Sequence, residues 1–372
     1  MNILIGADLV PTPTNTALFS AGDAVSLVGE SLFDLLNSAD HRIFNLEVPL
    51  TNICSPIDKN GPKLIAPADA VAGYQALGAD CLTLANNHIM DQGDQGLYST
   101  LKALDLHGIS YVGGGANLED AAKPYVFECD GKTIGIYACA EHEFSIAEER
   151  SPGANPFDPL ESPDHIAALK NRCDFVIVLY HGGKEHYRYP SPSLQKTCHK
   201  LVQKGADLVI CQHSHCIGCE EKYQHGTIVY GQGNFLFDRS ENEFWQTSLL
   251  VQIGDDFKIS YIPLAKNGCG VRLSDDPCIL ESFYTRSKEI LQEGFIHAQY
   301  AALASSMLPR YLTGFSGHQS ALSRIINKLS GYRFMKWKIS RKYGKKNLLA
   351  VRNAIECEAH RELVLYGLTK HK

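Results

Sequence analysis

The sequence predicts an α/β fold built in layers, and three observations lead to this prediction. Short apolar, β-branched runs recur through the first two thirds of the chain. Amphipathic stretches of helical period separate several of these runs, a pattern typical of sheets covered by helices. The chain has 372 residues, 44% of them hydrophobic, so it can bury a large core.

Nine runs are predicted to form strands. In chain order they are residues 2–7, 42–48, 80–86, 133–140, 174–181, 207–213, 227–233, 248–253 and 258–264. Helices are predicted at 22–38, 67–78, 93–107, 161–171 and 191–205. The last strands follow one another over short connections without a helix, so we expect antiparallel pairing there. From about residue 280 helical patterns take over, at 281–304, 318–330 and 348–367.

The distribution of charge predicts a separate unit near the end of the chain. Residues 1–320 carry 22 Lys/Arg and 38 Asp/Glu, a net charge of −16, whereas residues 321–352 carry 10 Lys/Arg and no acid. We therefore expect a main domain over 1–270 and a helical, basic extension over 271–372.

The basic segment also predicts a partner. Within it, residues 332–346 interleave aromatic side chains with cations, which suits a membrane surface, an anionic polymer or a protein of a synthesis complex. Docking on the acidic body of the same chain is an equal alternative. Nucleic acid is disfavoured, because no recognised reading module accompanies the segment.

Cysteine usage and the absence of targeting signals predict a cytoplasmic protein. The 12 cysteines lie mostly inside apolar runs, as small buried hydrophobes do in a reducing compartment. The first residues carry no basic region typical of a signal peptide, and no apolar run is long enough for a membrane span. Peripheral contact at the inner face of a membrane stays open through the basic segment. Cys216 and Cys219 have CxxC spacing, but they lack a second pair, so chance explains them best.

Polar residues follow five of the predicted strands, at the edge where open α/β sheets bind ligands. The candidates for metal ligation are Asp8, Glu47, Asn87, His181, His213 and His215. Their oxygen and nitrogen donors suit Mn, Fe or Zn, and the lack of a thiolate argues against a structural zinc site. If Glu47 bridges, two divalent ions about 3.5–4 Å apart could share the site and bind a phosphate. The two histidines 213 and 215 are expected on one strand face with period two.

The stretch TLANNHIMDQ adds candidates for proton transfer. His88 would protonate a leaving alkoxide, and Asp91 would hold its ring in orientation. Local structure offers an alternative, since paired asparagines favour the turn after a strand and Asp91 could cap the following helix.

Three further residues are candidates for substrate binding. Glu185 and His186 follow His181 on the same loop, although they could simply be solvated. Asn234, and with it Asp238, could support the site or make a turn.

The blocks GADLVPT, FNLEVPLT, LANNHIMDQG, LYHGGKEH, GADLVICQHSHCIG and VYGQGNFLFD are similar, in order and spacing, to those of the bacterial CapA family of capsule and poly-γ-glutamate biosynthesis. That family resembles the calcineurin-like metallophosphoesterases. The resemblance covers roughly residues 1–265 and implies a four-layer α/β/β/α sandwich with a two-metal site. It places the six candidate ligands on metal positions and His88 on the catalytic histidine.

Three positions depart from the pattern of calcineurin-like enzymes. Val10 replaces a histidine ligand, as is common in CapA-like chains. Gln212 replaces a glycine, and Gly182 replaces an aromatic residue, which predicts a differently walled pocket.

Two functions follow as expectations. The first is a metal-dependent phosphoester hydrolase of capsule or surface-polymer biosynthesis, acting on a phosphorylated sugar, a lipid-linked phosphate or a polymer terminus. The second is a non-catalytic accessory protein that binds an anionic polymer or a partner of a capsule synthesis complex. The candidate proton donor His88 favours the first, whereas Val10 and Gly182 favour the second.

Overall fold

The computed structural model describes residues 1–238, 240–316, 325–326, 329 and 333–370. The helix predicted over 318–330 therefore lies outside the described residues, apart from positions 325, 326 and 329. The basic segment 321–352 is described mainly from residue 333 onward.

Sixteen strands form among the described residues. They are β1 Ile3–Leu9, β2 His41–Asn45, β3 Cys81–Thr83, β4 Ser110–Val112, β5 Gly114–Gly115, β6 Tyr125–Cys129, β7 Lys132–Ala140, β8 Gly153–Ala154, β9 Phe175–His181, β10 Leu208–Gln212, β11 Glu220–Tyr223, β12 Gly226–Tyr230, β13 Asn234–Leu236, β14 Thr247–Ile253, β15 Ile259–Asn267 and β16 Gly270–Leu273.

Thirteen α-helices have described bounds. They are α1 Thr16–Ala21, α2 Ala24–Val28, α3 Glu30–Asn37, α4 Val71–Ala76, α5 Gly93–Leu106, α6 Leu118–Ala121, α7 Glu161–Lys170, α8 Pro192–Gln203, α9 Pro277–Glu289, α10 Phe295–Phe315, α11 Arg333–Lys342, α12 Lys345–Glu356 and α13 Glu358–Lys370. Short 3₁₀ helices occur at Ala68–Ala70, Glu243–Trp245 and Asp255–Phe257.

Two large sheets organise the first unit. One has eight strands, with β16-β15-β14-β1-β2-β3-β4 in order and β13 pairing with β1; the other has six, in the order β11-β12-β10-β9-β7-β6. Strands β1, β2, β3 and β4 pair in parallel, as do β7, β9, β10 and β12. The predicted antiparallel end is confirmed, since β14 runs antiparallel to β1 and β15, and β15 to β16.

Side chains alternate between the faces of each sheet and so define four layers. Ile3 and Ile5 of β1 pack in an apolar cluster that also holds Ile177 of the second sheet, which places this cluster between the sheets. Leu4 packs on the opposite face, in a cluster shared with helices α1 to α5. Val176 packs on the outer face of the second sheet, with helices α7 and α8. The predicted α/β/β/α sandwich is thereby confirmed.

All nine predicted strands are present, but the helix predicted over 22–38 is wrong. Helix α1 ends at Ala21, just before this range, and two short helices, α2 and α3, lie within it. Gly22 ends the first with φ +66°, and Gly29 separates the other two with φ +75°. A Cβ atom at Gly29 would lie 2.6 Å from Cδ of Arg272, so the chain turns where only glycine fits well.

By internal contacts the chain divides into two units, Met1–Ile296 and His297–Lys372. The first unit thus extends past residue 270, the end predicted for the main domain, because Phe283 of α9 packs into the apolar cluster between the sheets. In the second unit, Leu312 and Ile339 form a small buried cluster with Tyr343 packed against it. No helix among the described residues is long and apolar enough to cross a membrane.

Candidate metal centre

The carboxyl ends of central strands from both sheets meet at the predicted site. Asp8 lies at the end of β1, in register with Asn45 of β2 on one side and Asn234 of β13 on the other. It is fully buried and accepts a hydrogen bond of 2.8 Å from Nδ2 of Asn45. From the second sheet, β9 delivers His181 as its last residue. Parallel strands that end at one edge therefore bring distant residues together.

Glu47, just beyond β2, stands at the middle of the cluster. It belongs to two groups of three potential ligands, one with His181 and His213 and the other with Asp8 and His215. Within each group the ligand atoms lie within 4.8 Å of one another, and every member is buried. One carboxylate shared by two triads is the arrangement that a bridging ligand requires.

Around His181 the spacing of the donor atoms matches the geometry of a metal shell. Its Nε2 lies 3.1 Å from Oδ1 of Asn87, 3.1 Å from Nδ1 of His213 and 3.3 Å from Oε1 of Glu47. Ligands that share an ion at about 2.0–2.2 Å lie roughly 3.0–3.5 Å apart. The structure thus brings Asn87 into the same shell as the first triad.

His213 and His215 reach the site from strained backbone rather than from a strand. Strand β10 ends at Gln212, so the expected period-two placement on one strand face is wrong. Both histidines have positive φ, +85° and +53°. Such conformations cost about 1–3 kcal/mol each and occur most often at functional sites. Here the turn aims one ring at each triad.

His88 and Asp91 form a buried pair beside the ligands. Nδ1 of His88 lies 2.5 Å from Oδ2 of Asp91, so we assign the Nδ1 proton to this hydrogen bond. Asp91 also accepts from the backbone N–H of Leu64 at 2.6 Å and from Nζ of Lys59 at 2.5 Å. The Lys59 side chain is 2% exposed and donates to the backbone carbonyl of Asn87 as well. The side chain of Asp91 thus contacts His88, Leu64 and Lys59, and the alternative that it caps the next helix is wrong.

The carboxyl groups of the cluster have opposed pKa shifts. Burial, reinforced by the charge of Asp8, raises the pKa of Glu47 to about 8. Burial would also raise the pKa of Asp8, but the hydrogen bond and charge of His215 outweigh it and lower the pKa. Glu47 therefore carries a proton at neutral pH while Asp8 is ionised.

The pKa values of the three histidines also shift in opposite directions. Burial lowers the pKa of His181 to about 4, and burial with the charges of His181 and His215 lowers the pKa of His213 well below its usual value. Burial would lower the pKa of His215 too, but its hydrogen bond to Asp8 and the charge of Glu47 raise it to about 9. At neutral pH, two neutral imidazoles and one imidazolium thus face the carboxylate of Asp8 and the protonated side chain of Glu47.

Unsatisfied atoms indicate what the cluster can hold. Neither carboxylate oxygen of Glu47 has a hydrogen-bond partner among the described residues, and the side chain is fully buried. Such an arrangement is costly unless a cation compensates it. Oxygen and imidazole donors bind divalent cations, so the residues present fit a metal site.

The candidates for substrate binding lie at different depths. Glu185 and His186 are exposed on the loop after β9, and Nε2 of His186 accepts a 2.8 Å hydrogen bond from Nε1 of Trp245. Asn234 is buried and its Oδ1 lies 2.8 Å from Nδ1 of His215, so it contacts a candidate ligand directly. Asp238 accepts hydrogen bonds from Thr12 and Thr14.

Cys216 and Cys219 are buried free thiols. Neither belongs to a group of potential metal ligands in the part of the chain that the structure describes.

The structure shows the surroundings of the three residues that depart from the calcineurin-like pattern. Val10 is 2% exposed within the apolar cluster and supplies no ligand atom. Gln212 donates to Oε1 of Gln232 at 3.3 Å. A Cβ atom at Gly182 would lie 2.7 Å from Cγ of Glu141, so the Glu141 side chain occupies the space that a larger residue would need.

Sequence reasoning missed three residues that hold the site in place. Asn45 donates to Asp8 and accepts from a hydroxyl of β3, so it joins that carboxylate to the neighbouring strand. Lys59 reaches in from a surface loop, and Oε2 of Glu143 accepts a 3.0 Å hydrogen bond from Nδ2 of Asn87. Asn45 could have been found as an amide inside an apolar strand. No local sequence signal distinguishes Lys59 or Glu143.

The chain is similar to several known proteins. A family model described as "Bacterial capsule synthesis protein PGA_cap" matches residues 13–239. The chain is 32% identical to the capsule biosynthesis protein CapA of Bacillus anthracis over 188 residues, which are 49% of this chain and 46% of that protein. It is 31% identical over 224 residues to a "Probable polyglutamine synthesis accessory protein" of Mycobacterium tuberculosis, covering 56% of this chain and 59% of that protein.

The chain spans about half the length of the curated relatives it matches. Among solved structures, it is similar to the NAD nucleotidase of Haemophilus influenzae with a TM-score of 0.42 and 15% identity, covering 74% of this chain and 59% of that one. That likeness is too distant to bear on activity.

Proposed function

The chain belongs to the bacterial capsule synthesis protein family PGA_cap, and from this premise we propose that its buried centre hydrolyses a phosphoester in capsule or surface-polymer biosynthesis. The observation that carries the proposal is Glu47, one carboxylate shared by two triads of potential ligands. The residues that would hold two divalent ions are Asp8, Glu47, Asn87, His181, His213 and His215. When bound, such ions neutralise phosphate charge and activate water for in-line attack.

The remaining chemistry belongs to His88. Its Nδ1–H is held by Asp91, so the proton for the leaving alkoxide must come from Nε2–H of the imidazolium, which becomes a neutral imidazole as the proton leaves. Lys59 pairs with the other oxygen of Asp91 and so holds that carboxylate in place. Because Lys59 also contacts the carbonyl of Asn87, it links the proton donor to a ligand.

The substrate class follows from the site and from the family. A two-ion centre suits a phosphorylated substrate, and the relatives' names refer to capsule and poly-γ-glutamate biosynthesis. We propose a phosphorylated sugar, a lipid-linked phosphate or a phosphorylated polymer terminus. Glu185 and His186, exposed on the loop after β9, are the proposed contacts to its organic part, and Asn234 is proposed to reach the substrate beside His215.

A second candidate is the non-catalytic accessory function, and Val10 is the observation that favours it. Its side chain lies in the apolar core where calcineurin-like enzymes have a ligand, so one ion would have a smaller shell. In this case the centre would bind an anionic polymer or a partner of a synthesis complex without turnover.

Two site variants and a control distinguish these functions. Purified protein with Mn²⁺ is assayed on p-nitrophenyl phosphate and bis(p-nitrophenyl) phosphate, and its metal content is measured. His88→Ala should lose about 10²- to 10⁴-fold of turnover and keep its metal. His213→Ala should lose both metal and turnover. His225→Ala, at an exposed histidine outside the site, should change neither.

Full activity in both site variants would refute the site. Metal binding by the wild-type protein without turnover on either ester would favour the accessory function.

A further inference from the structure

The second unit, His297–Lys372, has an unusual charge pattern. From His297 to Ile355 the sequence contains 11 Lys/Arg and no Asp or Glu, and the remainder of the unit adds three Lys/Arg and three Glu. Among the described cations of this stretch, Lys342, Lys345 and Lys346 are exposed. A stretch of one sign creates a positive surface that attracts polyanions and anionic membranes.

The same unit exposes many large apolar side chains. On α12, Leu348, Leu349 and Ile355 are 37%, 54% and 52% exposed. On α13 the exposed apolar residues are Leu363 at 71%, Val364 at 48%, Leu365 at 57% and Leu368 at 67%. A single exposed leucine is ordinary, but such a concentration marks a surface that another apolar phase covers.

Helix α12 combines both features. Leu348, Val351 and Ile355 recur at i, i+3 and i+7 and so share one face. Lys345 lies one turn before Leu348 on that face, and Lys346 follows it directly in the chain. An apolar face with cations beside it is the pattern of a helix that lies in the plane of a membrane interface.

We propose that α12 and α13 dock on an anionic lipid bilayer. Charge complementarity selects this occupant, because the basic surface needs a negative partner and the exposed leucines need an apolar medium. A soluble polyanion would pair with the cations but would leave the leucines exposed. A second copy would cover the leucines but would leave most of the cations without a negative partner, because the unit carries 14 Lys/Arg and only three acids, Glu356, Glu358 and Glu362. The proposal does not depend on the hydrolase activity.

Vesicle co-sedimentation of the full chain tests the proposal. Vesicles of phosphatidylcholine with 30 mol% phosphatidylglycerol are compared with pure phosphatidylcholine. The protein should sediment with the anionic vesicles, should not sediment with the neutral ones, and should dissociate as salt is added.

Matched variants separate the two contributions. Lys345→Gln with Lys346→Gln should weaken binding about 25-fold, because each cation near the surface contributes about fivefold. Lys63→Gln with Lys132→Gln removes the same charge from exposed positions of the first unit and should have no effect. Leu363→Ser with Leu365→Ser should also weaken binding, while circular dichroism shows that helix content is retained.

Three results would overturn the proposal. One is no binding to anionic vesicles, and another is equal binding to neutral and anionic vesicles. The third is a concentration-dependent dimer that the Leu363→Ser, Leu365→Ser variant abolishes while vesicle binding is absent.

Discussion

Metal binding should release close to two protons per chain near pH 7. Ligation requires Glu47 as carboxylate and His215 as neutral imidazole. Without metal, the pKa of Glu47 is about 8 and that of His215 about 9, so both groups carry protons at pH 7. Asp8 is already ionised and His181, with a pKa of about 4, is already neutral, so neither contributes.

The number of protons released follows from these two pKa values. At pH 7 a group with a pKa one unit higher is about nine-tenths protonated, and one two units higher is about 99% protonated. Their sum is close to two. The logarithm of metal affinity should therefore rise with a slope of about two below pH 8 and about one between pH 8 and 9, then level off.

Calorimetric titration with Zn²⁺ at pH 7, in buffers of different ionisation enthalpy, measures the released protons. Glu47→Gln should lower the number to about one, because glutamine has no proton to lose, and should also weaken binding. Glu128→Gln, at an exposed carboxylate outside the site, should still release about two.

Metal affinity that is independent of pH between 6 and 8 would refute this reasoning. So would proton release that stays unchanged in Glu47→Gln, since it would place the titrating group elsewhere.

Two further variants test the supports of the centre. Lys59→Met should lower the free energy of unfolding by about 3–5 kcal/mol in urea denaturation, because it leaves the buried carboxylate of Asp91 without its cation. The control Lys123→Met breaks an exposed ion pair and should lower it by less than about 1 kcal/mol. Equal losses in the two variants would contradict the buried role of Lys59. Glu143→Ala should weaken metal binding about 10- to 100-fold in a metal titration by freeing the amide of Asn87, with little change in the urea midpoint; unchanged affinity would show that this amide needs no support.

The sequence predicted the long strands well, because their β-branched runs reflect burial on both faces. It missed seven strands of two to five residues each, β4, β5, β6, β8, β11, β13 and β16. So short a run has no period, and pairing with a neighbour decides its conformation. The helix predicted over 22–38 was wrong for a related reason. The spacing of apolar residues does not show that the backbone changes direction at Gly22 and Gly29.

The candidate site was predictable where it depends on strand ends. Asp8 and His181 lie at the ends of recognisable strands, and Glu47 follows one closely, so topology alone brings them together. Lys59 and Glu143 come from loops, and nothing in their local sequence shows that they reach into the centre. Their contacts depend on how the loops fold over the sheet edge.

The measurement that tests the central claim most directly is turnover of bis(p-nitrophenyl) phosphate as metal-free protein is titrated with Mn²⁺. If Glu47 joins two ions into one hydrolytic centre, turnover should lag during the first equivalent and reach its plateau at two equivalents per chain. Full turnover at one equivalent, or none at two, would contradict the account.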